Sequence, residues 1–382
     1  FTEKAGSYQS SDTPELVTPP ELSGAGSATA FHRATDALVA LHETAPGPLT
    51  DAVHRHQRRG PSDTQQALDK RVSDAVRAIR RQLLPLATRT DLLMTLNARA
   101  LDHLLRRLDA GPQLEVRELG ARLRAAATPA LPNLLGPRPT SHYRSDTDDA
   151  MSGWASELLR EVAPGSSEDR NRARLVRTPD DVEERLVAAI LYRHASLPYR
   201  TVRGRVDALP PETRSAVLDD FVRRRGHNDA PLREFEHVEF TFEVVLDGVA
   251  LREVRRHRLA VRTPQPLTAA HGYLTEPELT DSPLLAPWRA AMDSACAAFR
   301  ELDRIAPTAA PYVLPLGVRQ RVLITFSLRS LVRFVELRSQ RNGNRSVRNI
   351  ALDVLEELRR AHPGVSRLVR VDSAASQSVG GR

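Results

Sequence analysis

Three consecutive residues, Arg256-His257-Arg258, stand nineteen positions after Phe235-Glu236-His237, with the strand-like run Val238–Val244 between them. On a regular element, three neighbouring side chains cannot all face one way. Two guanidinium groups and an imidazole fanned from one turn can therefore grip a large, planar anion such as a dinucleotide from several sides. Taken alone, the same residues also describe a solvated basic run. Two further arginines have a telling position: Arg329 follows the apolar run Val322–Phe326, and Arg348 comes 19 residues later. An earlier pair, Arg99 and Arg117, repeats that arrangement with a separation of 18. Each of these four could equally serve a helix-surface salt bridge. Their recurrence in both places favours a functional role over four unrelated surface pairs.

The elements that must carry these residues follow from composition and pattern. The chain has 382 residues, 41% apolar but only 4% aromatic, which predicts helical packing rich in Leu, Val and Ala around more than one core. The formal charge is +7, but lysine occurs only at Lys4 and Lys70, and the arginines are interspersed with Asp and Glu. Without a basic stripe or stacking aromatics, nucleic-acid binding is not expected. A single cysteine, Cys296, excludes an internal disulfide and a CxxC metal cluster, and no metal is expected. No serine, and not Cys296 either, is framed as a catalytic nucleophile. No apolar run approaches the roughly 18–20 residues that span a bilayer, and no signal peptide is apparent; a cytoplasmic protein without a membrane partner is the expectation.

The chain repeats itself. Leu84-Pro85-Leu86 and Leu92–Leu101 return as Leu314-Pro315-Leu316 and Val322–Leu331 at a constant offset of 230. Val116-Arg117 returns as Val347-Arg348 and Pro132 as Pro363 at offset 231, and Thr18–Leu22 resembles Thr275–Leu279. Helices are predicted over 29–42 and 287–302, and buried strands over Leu92–Leu96 and Val322–Phe326. A helix follows the second strand, with Leu328, Leu331, Val332 and Val335 as its apolar stripe. Residues 136–173 read as a linker with a helix near Asp149–Val162, Thr178-Pro179 as a helix start, and Asp247-Gly248 as a tight reversal between strands. The segment after Val371 reads as a disordered tail.

Gly226-His227, Phe235-Glu236-His237, the Phe-Thr-Phe strand, Arg252 before Arg256-His257-Arg258, Leu314-Pro315, the Thr325–Arg329 junction and Arg348 together resemble the flavin-dependent thymidylate synthases. The resemblance divides the chain into a partial unit (1–135, the C-terminal part of a copy whose beginning is absent), a linker (136–173), a complete unit (174–366) and a tail (367–382). It implies an α/β (α+β) fold, a sheet flanked by helices, internally duplicated, with two chains forming a homo-oligomeric pseudo-tetramer. It also implies FAD against Arg256, His257 and Arg258, with Glu236 and His227 as further flavin contacts. The deoxyuridylate site would take Arg329, Arg348, Arg99, Arg117, Glu253 and Ser7. The implied reaction is reductive methylation of dUMP, or a related nucleotide, with NADPH and methylenetetrahydrofolate as co-substrates.

The chain also departs from that family. After Arg258, the positions of the family's Ser, Asn, Glu, Ser and Arg hold Val261, Thr263, Pro264, Pro266 and Thr268. The two prolines remove backbone donors from a phosphate-facing loop. Glu253 stands where the family has Gln, and a carboxylate there repels an anion unless it is protonated or paired. In the first copy, Thr2-Glu3-Lys4 is read at the Arg-His-Arg position, and Gly6-Ser7-Tyr8-Gln9 as the Ser-Tyr-Asn part of the motif. Ser7, Arg99 and Arg117 are thus expected to complete a pocket around Arg256–Arg258. The alternative function is a catalytically lapsed paralogue that keeps the fold and FAD as a binding or scaffold protein.

Overall fold

In a computed structural model, residues 2–3, 14–57, 64–135, 143–162, 173–226, 228–340 and 344–371 are described. Ser7, His227 and the tail from residue 372 lie outside them. Two compact units are present, and they do not follow the repeat boundaries. One joins residues 1–166 to 268–318; the other joins 167–267 to 319–382. The predicted complete unit, 174–366, is therefore split, because its segment 268–318 packs with the first copy.

Numbered along the whole chain, the first unit holds β1 (Thr2–Glu3), α1 (Ala25–Thr44), α2 (Pro46–His56), α3 (Gln65–Arg81), β2 (Leu92–Leu93), α4 (Ala98–Asp109), α5 (Leu114–Ala127), α6 (Pro132–Leu135), α7 (Tyr143–Leu158) and α12 (Leu285–Asp303). Leu38, Leu49, Val72, Val76 and Ile79 share one core with Trp288, Met292 and Ala295. Along α3 and α12 these residues fall three or four positions apart, on one face.

The repeat meets itself in this unit. Pro85 and Pro315 face each other in an antiparallel bridge. Around it, Leu86 N donates to Leu314 O at 3.0 Å and Leu316 N to Leu84 O at 2.9 Å. Ala87 N donates to Tyr312 O at 3.0 Å, and Gly317 N to Gln82 O at 2.8 Å. Under the offset of 230 each bond is the image of its partner, so the two copies make an isologous contact within one chain. Proline fits at the centre because that position has no donor to satisfy.

The expected buried strand Leu92–Leu96 is not formed as such. Only Leu92–Leu93 is strand, paired with Thr2–Glu3, and Leu92 and Leu96 are 50% and 39% exposed. A strand buries a face only where neighbouring strands and helices cover it, and among the described residues β2 pairs with β1 alone. The register also corrects the reading of Thr2-Glu3-Lys4. Thr2 and Glu3 pair with Leu93 and Leu92, as Thr263 and Pro264 pair with Leu323 and Val322. Thr2 thus corresponds to Thr263, five residues beyond Arg258, and not to the Arg-His-Arg position.

The second unit contains β3 (Ala173–Arg177), α8 (Val182–Tyr192), α9 (Tyr199–Asp207), α10 (Pro211–Arg223), β4 (Glu239–Asp247), α11 (Gly248–Arg255), β5 (Val261–Pro264), β6 (Arg319–Ser327), α13 (Leu328–Arg338), α14 (Arg345–Ala361) and α15 (Pro363–Ser366). Its sheet is antiparallel in the order β3-β4-β6-β5. The register pairs Phe240 with Phe326, Phe242 with Ile324 and Val244 with Val322, and all six are buried. Period-2 alternation puts them on one face, against the predicted α13 stripe and Val347, Ile350, Val354 and Leu358 of α14.

Two local expectations fail for stated reasons. Asp247-Gly248 is no reversal, because α11 starts at Gly248 and the Asp247 carboxylate accepts from Ala250 N at 3.0 Å as its cap. Thr178 does not cap α8, which starts at Val182 after Asp181; its hydroxyl instead lies 2.7 Å from His362 Nε2. The linker helix is α7, earlier than Asp149–Val162.

Asp247 is buried, caps α11 and takes a hydrogen bond from Ser346 at the start of α14. Burial pushes its carboxyl up from the ordinary value. Asp247→Ala is expected to lower unfolding free energy by about 2–3 kcal/mol, from the lost cap and the orphaned Ser346 hydroxyl. Asp247→Asn keeps an acceptor at the cap without the buried charge and should cost less than half of that in urea unfolding.

Candidate functional site

The Arg-His-Arg segment is the exit of α11. Arg256 N bonds back to Glu253 O at 3.2 Å, His257 N to Val254 O at 3.0 Å and Arg258 N to Arg256 O at 3.1 Å. This tight turn fans the three side chains as their adjacency requires. Arg256 and Arg258 are exposed, while His257 turns inward against Phe334, edge to face at 5.1 Å between ring centres.

Arg338, at the end of α13, organises this turn. Its Nε donates to His257 Nε2 at 3.1 Å, and its Nη1 lies 2.8 Å from the Glu253 carboxylate. A ring that accepts at Nε2 carries its proton on Nδ1. Burial, then the charges of Arg338, Arg333 and Arg262, lower the His257 pKa to about 4, so the ring is neutral at pH 7. Glu253 also pairs with Arg256 at 3.6 Å. The carboxylate that looked repulsive in the sequence is therefore paired. Arg262 donates to the carbonyls of His257 and Ala260 at 2.7 and 2.9 Å. Desolvation and the neighbouring Arg262 and Arg252 lower the pKa of Arg255, which marks a local excess of positive charge. Such a cluster attracts polyanions, and its charges repel until one arrives.

The second cluster sits at the other end of α13. Arg329 lies nine residues before Arg338, about 14 Å along a helix. Its Nε donates to Pro231 O at 2.7 Å and its Nη1 to Glu236 at 2.5 Å. Glu236, expected as a flavin contact, is thus the residue that fixes Arg329, an expected nucleotide contact. The Arg329 hydrogen bond, with Arg233 nearby at 3.6 Å, holds the Glu236 carboxyl below its ordinary value. Arg348 is half-buried on the first turn of α14, capped by Asn344. The structure brings together Glu236 with Arg329 and Glu253 with Arg256, and it separates these two groups along α13.

Arg99 and Arg117 belong to the first unit. Arg99 lies on the first turn of α4, after the Asn97 cap, and is exposed, with no hydrogen bond or ion pair to hold it among the described residues. Arg117 donates to the carbonyls of Gly111 and Pro112 at 2.9 and 2.8 Å, on the loop before its own helix. Sequence reasoning missed Arg338 and Phe334. The signal was available: both continue the stripe of Leu331 and Val335 at helical spacing, and an arginine on a buried face needs a partner.

The fold and these clusters define a duplicated α/β protein with arginine clusters at the exit of α11 and at the β6–α13 junction. The thymidylate synthase complementing protein family matches residues 1–133 and 174–364, and the chain belongs to that family. It is 30% identical over 308 residues to a UPF0159 protein of Chlamydia muridarum, a match covering 78% of this chain and 58% of the relative. A UPF0159 protein of Thermoplasma acidophilum is 25% identical over 312 residues, 78% of this chain and 60% of that protein. The flavin-dependent thymidylate synthase of Sulfurisphaera tokodaii is 29% identical over 142 residues, 35% of this chain and 55% of that enzyme. The chain thus spans less than two thirds of the length of these relatives. No helix of the described residues is long and apolar enough to cross a membrane.

The folded His257 binds a proton only near pH 4, whereas an unfolded histidine does so near 6.5. Between these values the unfolded state holds more protons, so its contribution is full above pH 6.5 and is lost as pH falls towards 4. His42, also lowered to about 4 by burial and Arg80, contributes a parallel slope. His257→Gln should remove part of the acid loss of stability between pH 6.5 and 4 and leave the His42 share. Urea midpoints measured across that window check this.

Proposed function

We propose that this protein is a flavin-dependent thymidylate synthase-like protein that binds FAD at the α11 exit and reductively methylates dUMP, with methylenetetrahydrofolate as carbon donor and NADPH as reductant. The observation that carries the reading is the excess of arginine around a neutral His257. The residues present suit a dinucleotide. Arg256 and Arg258 are exposed on either side of His257, and Arg255, Arg262 and Arg333 add positive charge for a pyrophosphate. His257, neutral and held by Arg338, gives the turn a rigid inner anchor. FAD, when bound, supplies the hydride of the reaction. The chain's part is to bind and orient: Arg329, held by Glu236 and Pro231, presents a fixed guanidinium fork for the nucleotide.

One observation favours a second reading, a lapsed paralogue that keeps FAD. Val261–Pro264 is not a phosphate-facing loop but the strand β5, paired along β6. Arg262 within it is spent on backbone carbonyls, and Pro264 and Pro266 offer no backbone donor.

Flavin titration, followed by fluorescence quenching, tests the shared part. Arg256→Ala with Arg258→Ala should weaken FAD binding by about 10- to 100-fold, the loss expected for charge-assisted contacts to phosphate. Unchanged affinity would remove the FAD site from this turn. Formation of dTMP with dUMP-stimulated NADPH oxidation supports the first reading; tight FAD binding without dTMP supports the second.

A further inference from the structure

Residues 367–371 read in the sequence as the start of a tail, and they lie beyond the family match, which ends at residue 364. In the second unit they form a strap fastened to α10. Arg367 pairs with Asp219 and donates to Ser215 O at 3.2 Å and to Ser215 Oγ at 3.1 Å. Arg370 gathers the carbonyls at and just past the end of α10. Its Nη1 donates to Gly226 O at 3.0 Å, and its Nη2 to Val222 O at 3.4 Å and to Arg225 O. Helix C-termini leave such carbonyls without intrahelical partners, and a guanidinium suits them through both its donors and its charge. The Arg370 backbone is engaged as well, its N donating to Glu336 Oε1 at 3.0 Å.

Glu336 of α13 is also the anchor of Arg225. Its carboxylate takes Arg225 Nη1 and Nη2 at 2.8 and 2.5 Å, and the two side chains are only 10% and 19% exposed. Arg225 opens the loop that leads to Pro231. Its Nε donates to Asp229 O at 2.9 Å, and Gly226 N donates to the Asp229 carboxylate at 2.7 Å. The loop ends at Pro231, whose carbonyl takes Arg329 Nε at 2.7 Å. Arg329 and Glu336 both lie on α13, seven residues or about 10 Å apart, two turns along one face. Residues 225–231 are thus tied at both ends to one face of α13.

We propose that Arg370 is a positioning residue for Arg329: by gathering the α10 carbonyls it holds residues 225–231 on α13, so that Pro231 fixes the Arg329 guanidinium. The proposal rests on the reading of Arg329 as a nucleotide contact. The link runs from Arg370 to Gly226 O, which also accepts Asp229 N at 3.3 Å, and on along the backbone to Pro231. With Nε on Pro231 and Nη1 on Glu236, the Arg329 fork keeps one orientation. Released at Nε it would rotate, and a ligand would have to order it again on binding. Arg370 is exposed, so its removal strands no buried charge. Removing Glu336 would leave Arg225 buried and unpaired, which makes Arg370 the cleaner test.

Arg370→Met keeps the length of the side chain and removes its donors. It should raise the dUMP dissociation constant, measured by titration calorimetry, about 10-fold, the loss expected for charge-assisted hydrogen bonds. FAD affinity, read by fluorescence quenching, should stay within about twofold, because the α11 exit shares no partner with Arg370. Arg370→Lys keeps the charge without the fork and should recover part of the dUMP affinity. Arg367→Met loosens the strap away from residues 225–231 and should leave dUMP affinity within about twofold. A second readout needs no nucleotide. In protein labelled with 15N-arginine, the Arg329 Nε–H signal, identified by its absence in Arg329→Lys, should exchange with water about 10-fold faster in Arg370→Met. Unchanged Arg329 exchange overturns the proposal, and so does unchanged dUMP affinity in a protein that binds dUMP. Equal weakening of dUMP and FAD binding, with a lowered urea midpoint, makes the strap merely structural and overturns it too. If the unsubstituted protein binds no dUMP, the nucleotide reading of Arg329 fails, and Arg329 exchange alone decides the positioning role.

Discussion

The antiparallel pairing of β4 with β6 sets the geometry on which the second unit depends. The nine-residue pairing runs from Glu239 against Ser327 to Asp247 against Arg319, so each strand delivers its chain to an opposite end. At each end a side-chain cap turns strand directly into helix: Asp247 starts α11 and Ser327 starts α13. A strand pair of this length spans about 30 Å. The two helices, of 8 and 11 residues, run about 12 and 16 Å, so helices folded back from opposite ends meet near the middle. They meet at their C-termini, where Arg338 reaches Glu253 and His257. Helix C-termini favour cations through their unpaired carbonyls, which makes the junction a natural place for arginine.

This explains why the Arg-His-Arg motif was legible and its support was not. Adjacent cations at the end of a helix state their own geometry, and the sequence pattern places Arg256–Arg258 after an apolar run with helical spacing. Arg338 lies 80 residues beyond Arg258, and only the β4–β6 register brings the two together. Glu253 was read as an anomaly for the same reason, since its partner Arg338 is remote in sequence. The Asp-Gly pair misled because it lies between apolar runs, as a hairpin turn would. The run Val249, Ala250, Leu251, Val254 already had helical rather than alternating spacing, and that signal was the better one.

Repetition had the opposite balance. The offset of 230 was plain in the residues, and the reciprocal bonds about Pro85 and Pro315 reproduce it atom for atom. Burial could not be inherited with it. A sequence match transfers the tendency of Leu92–Leu96 to form a strand, but not the neighbours that would bury it. Register was likewise invisible, because β1 and β5 share only the threonine of Thr2 and Thr263, and two-residue strands leave no pattern to align.

The two clusters on α13 also bear differently on function. At the His257 end the chain retains an excess of positive charge, which favours anions over cations there. At the Arg329 end charge is balanced internally by Glu236, so a nucleotide must compete with a carboxylate or use the donors that Glu236 and Pro231 leave over. Pairing of β5 along β6 removes the flexible loop that could have supplied more. The two ends of α13 therefore differ in charge: the exit of α11 gathers more arginines than carboxylates, whereas Arg329 is balanced by Glu236 and the donors of Arg262 are committed to backbone carbonyls.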